Sequence, residues 1–376
     1  VAEAWAVGGV DTGLAFVTLV LTALGAWWIR TKVPAGTLRR VLFLAWLLGG
    51  YALLRHFYDQ ASINIEAVDP AQTGFLGGLG LPILISWIAG GAAAAGLAWV
   101  VGRVALGLRS DYFAIATLGI SEIMISILKN EDWMTRGVKN VTGLERPVPY
   151  EVDLQQSQWF MDLVIRLHSV DPNQIRQEAL QEMVISASGV FVKLCYSGLF
   201  LIVLLIILGL AALALNSPWG RMMRAIRDNE IAAVAMGKDV TNRHRQVFIL
   251  GSAVIGVAGA MLTTLDGQFT PGSYIPLRFT FLIWVMVIIG GSGNNLGAVL
   301  GAFITWFAWI EAEPASVWLA EGINSFLNES NPLRQHLLEV APQMRMVVMG
   351  LILILVLRFR PRGILPEQSP SGNSLK

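Results

Sequence analysis

Residues 189–215, GVFVKLCYSGLFLIVLLIILGLAALAL, contain a single charged side chain, Lys193. About 20 consecutive apolar residues suffice for a helix to cross a bilayer. Inside hydrocarbon each backbone N–H and C=O must be bonded within the protein, which restricts spanning structures to helices and closed barrels. A run this long without alternation reads as helix. Composition extends the argument to the whole chain: 55% of residues are hydrophobic and 14% charged, against about 25% charged in soluble domains. The expected fold is all-α, a polytopic transmembrane helical bundle forming one domain over 1–376.

Hydropathy gives spans at 10–29, 40–56, 76–101, 112–128, 189–213, 246–265 and 341–358. The block 279–311 is too long for one ordinary span and is cut by Gly290, Gly291, Ser292, Gly293, Asn294 and Asn295. It reads as two segments with a break, either a re-entrant hairpin or two short spans. Basic residues gather on the cytoplasmic side of membrane proteins. Segments 30–40, 102–111, 214–245 and 358–376 together hold 16 Lys and Arg against 5 Asp and Glu, out of 27 and 26 in the chain. The expected organisation therefore has a cytoplasmic loop at 214–245 and a cytoplasmic tail at 359–376. An extended outward segment covers 130–188 and a second outward loop 312–340. Within the first, QIRQEALQEMVI reads as one amphipathic helix.

Several chemistries are not supported by the residues present. Cys195 is the only cysteine, so an internal disulfide or a thiolate metal cluster cannot form. His56, His168, His244 and His336 are far apart and show no paired spacing, so no metal site is expected. Neither paired catalytic groups nor a GxxxxGK[ST] phosphate loop occurs, which predicts no catalytic residues, no cofactor and no ATP hydrolysis by this chain. Trp27, Trp28, Trp306 and Trp309 lie near span ends, where tryptophan favours the membrane interface. The sequence begins at Val1 and shows no secretory signal pattern.

The polar stretch RAIRDNEIAAVAMGKDV, 224–240, interrupts this apolar chain. Ser217-Pro218 reads as an N-cap followed by proline at the first helical position. Asp228-Asn229 offers a second cap, with Glu230 favourably placed in the next first turn. The second helix stops at Gly237. Helices this short are marginal alone in water, so the element needs support. A small body of Ala232, Ala233 and Ala235 with a rim of Arg224, Arg227, Glu230, Lys238 and Asp239 suits a cleft in another protein. A loop packed on its own membrane domain is the plain alternative. A nucleic-acid reader is disfavoured because both ends of the stretch are tethered to spans.

Two features lie within the membrane. Glu122 sits mid-span in YFAIATLGISEIMISIL, at an insertion cost of about 2.5–3.5 kcal/mol. The span's five Ile, two Leu and one Phe return roughly 2.4–4.8 kcal/mol. Glu122 should therefore face protein or water, as a gate or pathway residue or as a hydrogen-bonding partner of a neighbouring helix. The break at Gly290, Gly291, Gly293 and Asn294 frees backbone groups that lipid cannot satisfy. It could line a substrate path or form a tight turn, and the Gly297–x3–Gly301 spacing suits close helix contact.

The stretch SPWGRMMRAIRDNEIAAVAMGKDVTNRHRQVFILGSAVIGVAGAM resembles the coupling-loop region of bacterial branched-chain amino acid permeases, the membrane subunits of ATP-binding-cassette importers. RSDYFAIATLGISEI (109–123), MVIIGGSGNNLGAVLGA (286–302) and RPRGILP (360–366) are similar to three further blocks of that family. The resemblance covers roughly 100–123 and 214–366. It departs at 40–101, where the family's Gly-rich span is not evident, and in the length of 130–188.

The resemblance implies docking to an ATPase through Arg221, Arg224, Arg227, Glu230, Ile231, Ala232, Ala233, Gly237 and Asp239. The candidate pathway or gate residues are Thr117, Glu122, Gly290, Gly291, Gly293 and Asn294. The implied partners are a second permease subunit, two cytoplasmic ATPases, a periplasmic substrate-binding protein received by the outward loops, and the lipid bilayer, with no nucleic acid. The expected location is the bacterial inner membrane. The expected function is import of branched-chain or related amino acids, with urea or a short amide as an alternative cargo. An ion-gradient transporter would need inverted repeats and intramembrane ion ligands, which the sequence does not display.

Overall fold

The computed structural model describes residues 2–68, 83–108, 110–131, 140–144, 146–169, 176–325, 339–340 and 343–367. Seven helices among them are long and apolar enough to cross a membrane, which makes this an all-α, multi-pass membrane protein. The chain divides into two compact units, Val1–Ser273 and Tyr274–Lys376.

The first unit opens with an antiparallel pair, α1 (Ala2–Lys32) and α2 (Thr37–Val68). Trp46 Nε1 donates to the Thr22 carbonyl at 3.0 Å, and Asn64 Nδ2 lies 3.4 Å from Asp11 Oδ2 near the other end. Next come α3 (Ile83–Ala105) and α4 (Ser110–Asn130). The third expected span, 76–101, begins in residues outside those described, and its helix continues to Ala105.

A two-residue strand, β1 (Val141–Thr142), and two short helices, α5 (Glu151–Gln156) and α6 (Gln158–His168), precede α7 (Gln177–Asn216). With 40 residues, α7 is about 60 Å long, roughly twice the thickness of the hydrocarbon layer. Leu154, Phe160, Val164, Val184, Val192 and Tyr196 form a buried cluster between the short helices and one face of α7. Gln155 Nε2 donates to the fully buried Ser188 hydroxyl at 2.9 Å.

The expected separate amphipathic helix in QIRQEALQEMVI is instead the first part of α7, starting at Gln177. No proline follows it in the helix, and the cost of Gly189 at the join, about 1 kcal/mol, is offset by burial of Val184, Ser188 and Val192 on one face. The separate amphipathic helix is α6.

After two short helices, α8 (Pro218–Asp228) and α9 (Glu230–Ala235), the chain enters α10 (Val240–Asp266) and β2 (Gln268–Phe269). β2 pairs antiparallel with β1, Val141 opposite Phe269. α10 packs antiparallel on α3 through small residues. A Cβ on Gly256 would lie 2.7 Å from the Gly90 carbonyl oxygen and 3.1 Å from Gly91 Cα. Small residues let backbones approach closely, so dispersion and packing replace the hydrophobic drive that lipid does not supply. At one end of this contact the Trp87 indole donates to the Thr264 hydroxyl at 2.9 Å, both side chains buried.

The second unit contains α11 (Pro276–Gly290), α12 (Asn295–Asn324) and α13 (Met344–Phe359). The block 279–311 is thus two helices with a turn at 291–294. α12 continues to Asn324, so part of the segment expected as loop 312–340 is helical, and 326–338 lie outside the described residues. Leu282, Val285, Ile289 and Met349 form the core. Arg345 pairs with Glu313 and lies 5.8 Å over the Trp309 ring.

The α3–α10 contact yields a prediction. Gly256→Val should destabilise the protein by about 1–3 kcal/mol through overpacking, whereas Gly259→Ala, with no atom within 4 Å of the added carbon, should leave stability nearly unchanged. Thermal melting in detergent, followed by tryptophan fluorescence, checks both.

Candidate functional site

The elbow at 217–239 is built by successive caps. Ser217 leaves α7 in an extended conformation, and its hydroxyl oxygen accepts from the Gly220 N–H at 3.3 Å. Pro218 occupies the first helical turn, where its missing N–H removes no bond. Gly220 sits so near the end of α7 that any side chain would strike the Ala214 and Leu215 carbonyls. Arg221 Nη1 donates to the Asn216 carbonyl at 3.3 Å, and Arg224 Nη2 to that of Leu215 at 3.2 Å. Both guanidinium groups satisfy carbonyls at the negative end of the α7 dipole, so they fix the elbow to its own helix.

Asn229 turns the chain between α8 and α9, its Oδ1 accepting from the Ala232 N–H at 2.9 Å. α9 closes on Gly237, which adopts φ +76°, a left-handed conformation that costs other residues about 1–2 kcal/mol. The Gly237 N–H donates to the Val234 carbonyl and the Lys238 N–H to that of Ala233. Asp239 caps α10, accepting from the Asn242 N–H at 3.0 Å. The Trp219 indole donates to Gln246 Oε1 at 3.1 Å, tying α8 to α10.

The elbow has its own small core of Ile226, Ala233 and Val240, with Met222 and Met223 against it. Ala233, expected on the outward body, is therefore turned inward. On a helical wheel it lies opposite Ile231 and Ala235, with Val234 about 100° away. The outward side is apolar and larger than expected: Ile231 is 83% exposed, Val234 56% and Met236 79%. Exposed Ala232 completes it, and Arg227, Asp228, Glu230, Lys238 and Asp239 surround it. Reading by alanine content missed Val234 and Met236. The available signal was the i, i+3 spacing of Ile231 and Val234, opposite the one alanine that the short helix must bury.

Thr117 lines an apolar groove of about 390 Å³ formed by α3, α4 and α10, together with Leu97, Ser121, Met124, Phe248 and Ser252. Its hydroxyl is bonded back to the Phe113 and Ala114 carbonyls at 3.0 Å. Glu122 is exposed and lies on another face of α4, with Ile115 and Leu118. The Gly290, Gly291, Gly293 and Asn294 turn belongs to the second unit and packs against that unit's C-terminal segment. The Ile364 N–H donates to the Ile289 carbonyl and the Leu365 N–H to that of Gly290, both at 2.9 Å. Asn294 Oδ1 caps α12, accepting from the Leu296 and Gly297 N–H groups, while its amide donates to the Pro366 carbonyl at 3.4 Å. No group of three or more metal-ligating side chains occurs among the described residues.

A family model described as branched-chain amino acid transport system / permease component matches residues 6–357. The chain is similar to the high-affinity branched-chain amino acid transport system permease protein LivM of Salmonella typhimurium, 26% identical over 96% of this chain and 71% of that relative. LivM of Escherichia coli is 24% identical over 85% of this chain and 61% of its own length. The probable permease protein LivM of Methanocaldococcus jannaschii is 27% identical over 41% of each. The matches thus span between 41% and 71% of these relatives' lengths. The family model and the Salmonella match also run through 40–101, where motifs alone show no counterpart. No solved structure matches.

The caps generate a prediction. Asn229→Ala should cost about 0.5–2 kcal/mol locally, enough to fray a six-residue helix, and Asn229→Asp should restore it. Trypsin cleavage after Arg227 and Lys238 should accelerate in the first variant alone, with the melting temperature of the whole chain nearly unmoved. Equal cleavage rates in all three proteins would contradict the capping role.

Proposed function

We propose a function on one premise: this chain belongs to the family of branched-chain amino acid transport permease components. As a transport subunit with several membrane spans, it forms, in this reading, the membrane half of an ATP-driven importer for branched-chain or related amino acids. The assembly contains a second permease chain, two separate ATPases and a periplasmic binding protein, and sits in the bacterial inner membrane. The clustering of basic residues at 214–245 and 358–376 supports a cytoplasmic location for the elbow and tail.

The observation that carries this reading is the exposed apolar face Ile231, Val234 and Met236 on a rigidly capped elbow. Each such side chain contributes about 1.5–3 kcal/mol when fully buried, and a charged rim fixes orientation at modest cost. The elbow seats in a groove on an ATPase. Its supports, Arg221 and Arg224 on the end of α7 and Trp219 on Gln246 of α10, carry ATPase motion directly to two spanning helices. Glu230 and Asp239 contribute helix-end electrostatics, and Gly237 gives close approach. Thr117 borders the substrate route in the α3–α4–α10 groove. Glu122 joins that route where the second permease chain covers its face of α4. The turn at 290–294 acts on gating by holding the tail segment.

Ile231→Asp and Met236→Asp should each reduce uptake more than tenfold while leaving membrane insertion intact. Tagged chain isolated gently from native membranes should bring down ATPases and a second permease, identified by mass spectrometry, and the two variants should lose the ATPases. Isolation of the wild-type chain alone, with leucine uptake in vesicles that lack ATP, would overturn the proposal.

A further inference from the structure

The end of α10 remote from the elbow borders a polar pocket of about 380 Å³, lined by Leu144, Arg146, Tyr150, Asp266, Gly267 and Gln268 among others. This volume lies within the range of small-molecule sites. The β1–β2 pairing and the Leu144 N–H bond to the Gly267 carbonyl fasten the 141–144 segment to the end of α10. The pocket therefore has walls from two places in the sequence.

Its charges are arranged unusually. Arg146 uses Nη1 to bind Glu151 at 3.2 Å. The Nε and Nη2 edge faces Gly267, where a Cβ would lie 3.8 Å from Nη2 and 3.9 Å from Nε. Neither Nε nor Nη2 makes a hydrogen bond among the described residues, where Arg146 bonds only Glu151 and only through Nη1, so this edge keeps its capacity for a two-point bond with a carboxylate. Asp266 borders the same pocket, is exposed, and forms no ion pair within 4 Å among the described residues. It sits at the negative end of the α10 dipole, which favours a cation. Two opposite charges thus border one pocket without joining each other. Tyr150, whose ring lies 5.7 Å from the Arg146 guanidinium carbon, and Leu144 supply apolar surface.

We propose that this pocket binds a free α-amino acid as its zwitterion. The carboxylate sits on Arg146 Nε and Nη2, the ammonium lies between Asp266 and the carbonyl end of α10, and an aliphatic side chain rests against Leu144 and Tyr150. The site rests on the importer reading above and adds a receiving position for cargo on the permease itself, remote from the elbow. A molecule with only one of the two charges satisfies half of the site and forgoes the charge-assisted bonds of the other.

The test is equilibrium dialysis of radiolabelled L-leucine against the detergent-purified full chain with whatever subunits co-isolate. Leucine should bind. Other aliphatic α-amino acids should compete, whereas 4-methylpentanoate and isoamylamine should not. Asp266→Asn and Arg146→Lys should each weaken binding about tenfold with unchanged melting temperature, and Asn242→Ala should have no effect. Absence of leucine binding to the wild-type protein, equal binding by both pocket variants, or equal competition by the singly charged analogues would each overturn the site. If ATP-dependent leucine uptake persists alongside any of these results, the importer reading stands and this pocket alone is refuted. Loss of co-isolating ATPases would refute the reading beneath it.

Discussion

Backbone hydrogen bonding in a medium without water is the constraint on which this structure depends. Each spanning segment satisfies its N–H and C=O groups along its own axis, and that leaves the helix ends as the places where bonds must be found elsewhere. Several polar side chains serve those ends. Ser217, Asn229, Asp239 and Asn294 all cap helix starts, and Arg221 and Arg224 close the end of α7. The same requirement explains why the irregular turn at 291–294 is covered by the C-terminal segment, whose N–H groups take up the Ile289 and Gly290 carbonyls.

With backbone bonds satisfied internally, adhesion between helices falls to shape. α3 meets α10 where Gly90, Gly91 and Ala94 face Gly256 and Val257. α11 meets α12 where Gly290 and Met286 face Gly297 and Gly301. Lipid solvates a leucine as well as a protein interior does, so only close approach distinguishes a helix neighbour from a lipid tail. The buried Trp87–Thr264 bond adds direction to such a contact, which packing of small residues lacks.

The sequence makes the type of the spanning elements legible because hydropathy and charge act on each segment separately. Their list differs, since 341–358 holds the 16-residue α13, which is not among the seven helices long enough to cross, while α12 is. The sequence also shows the Ser217 and Asn229 caps of the elbow, since a cap is a local bond between residues three apart, but it leaves the Asp239 cap unread. It does not show that α7 continues outward from 189 to 177, because that extension depends on a hydrophobic cluster shared with residues 148–164. The orientation of Ala233 is hidden for the same reason: whether an alanine faces in or out is decided by Ile226 and Val240, not by its own chemistry. The glycines at 290–293 read equally as a lining or a turn until the position of 363–366 is known. Thr117 is recognisable only through a family pattern, and its groove depends on helices well separated in sequence.

The length of α7 has a mechanical consequence. The helix contains no proline and runs unbroken from Gln177, past the hydrophobic cluster along its first half, to the cap at Ser217. A stiff rod about 60 Å long that pivots near its middle acts as a lever with two arms of about 30 Å, so a tilt of about 5° displaces each tip by nearly 3 Å in opposite directions. The Gln177 tip and the elbow would then move together without any chain of intervening contacts, a push at one tip being felt at the other in the reversed sense.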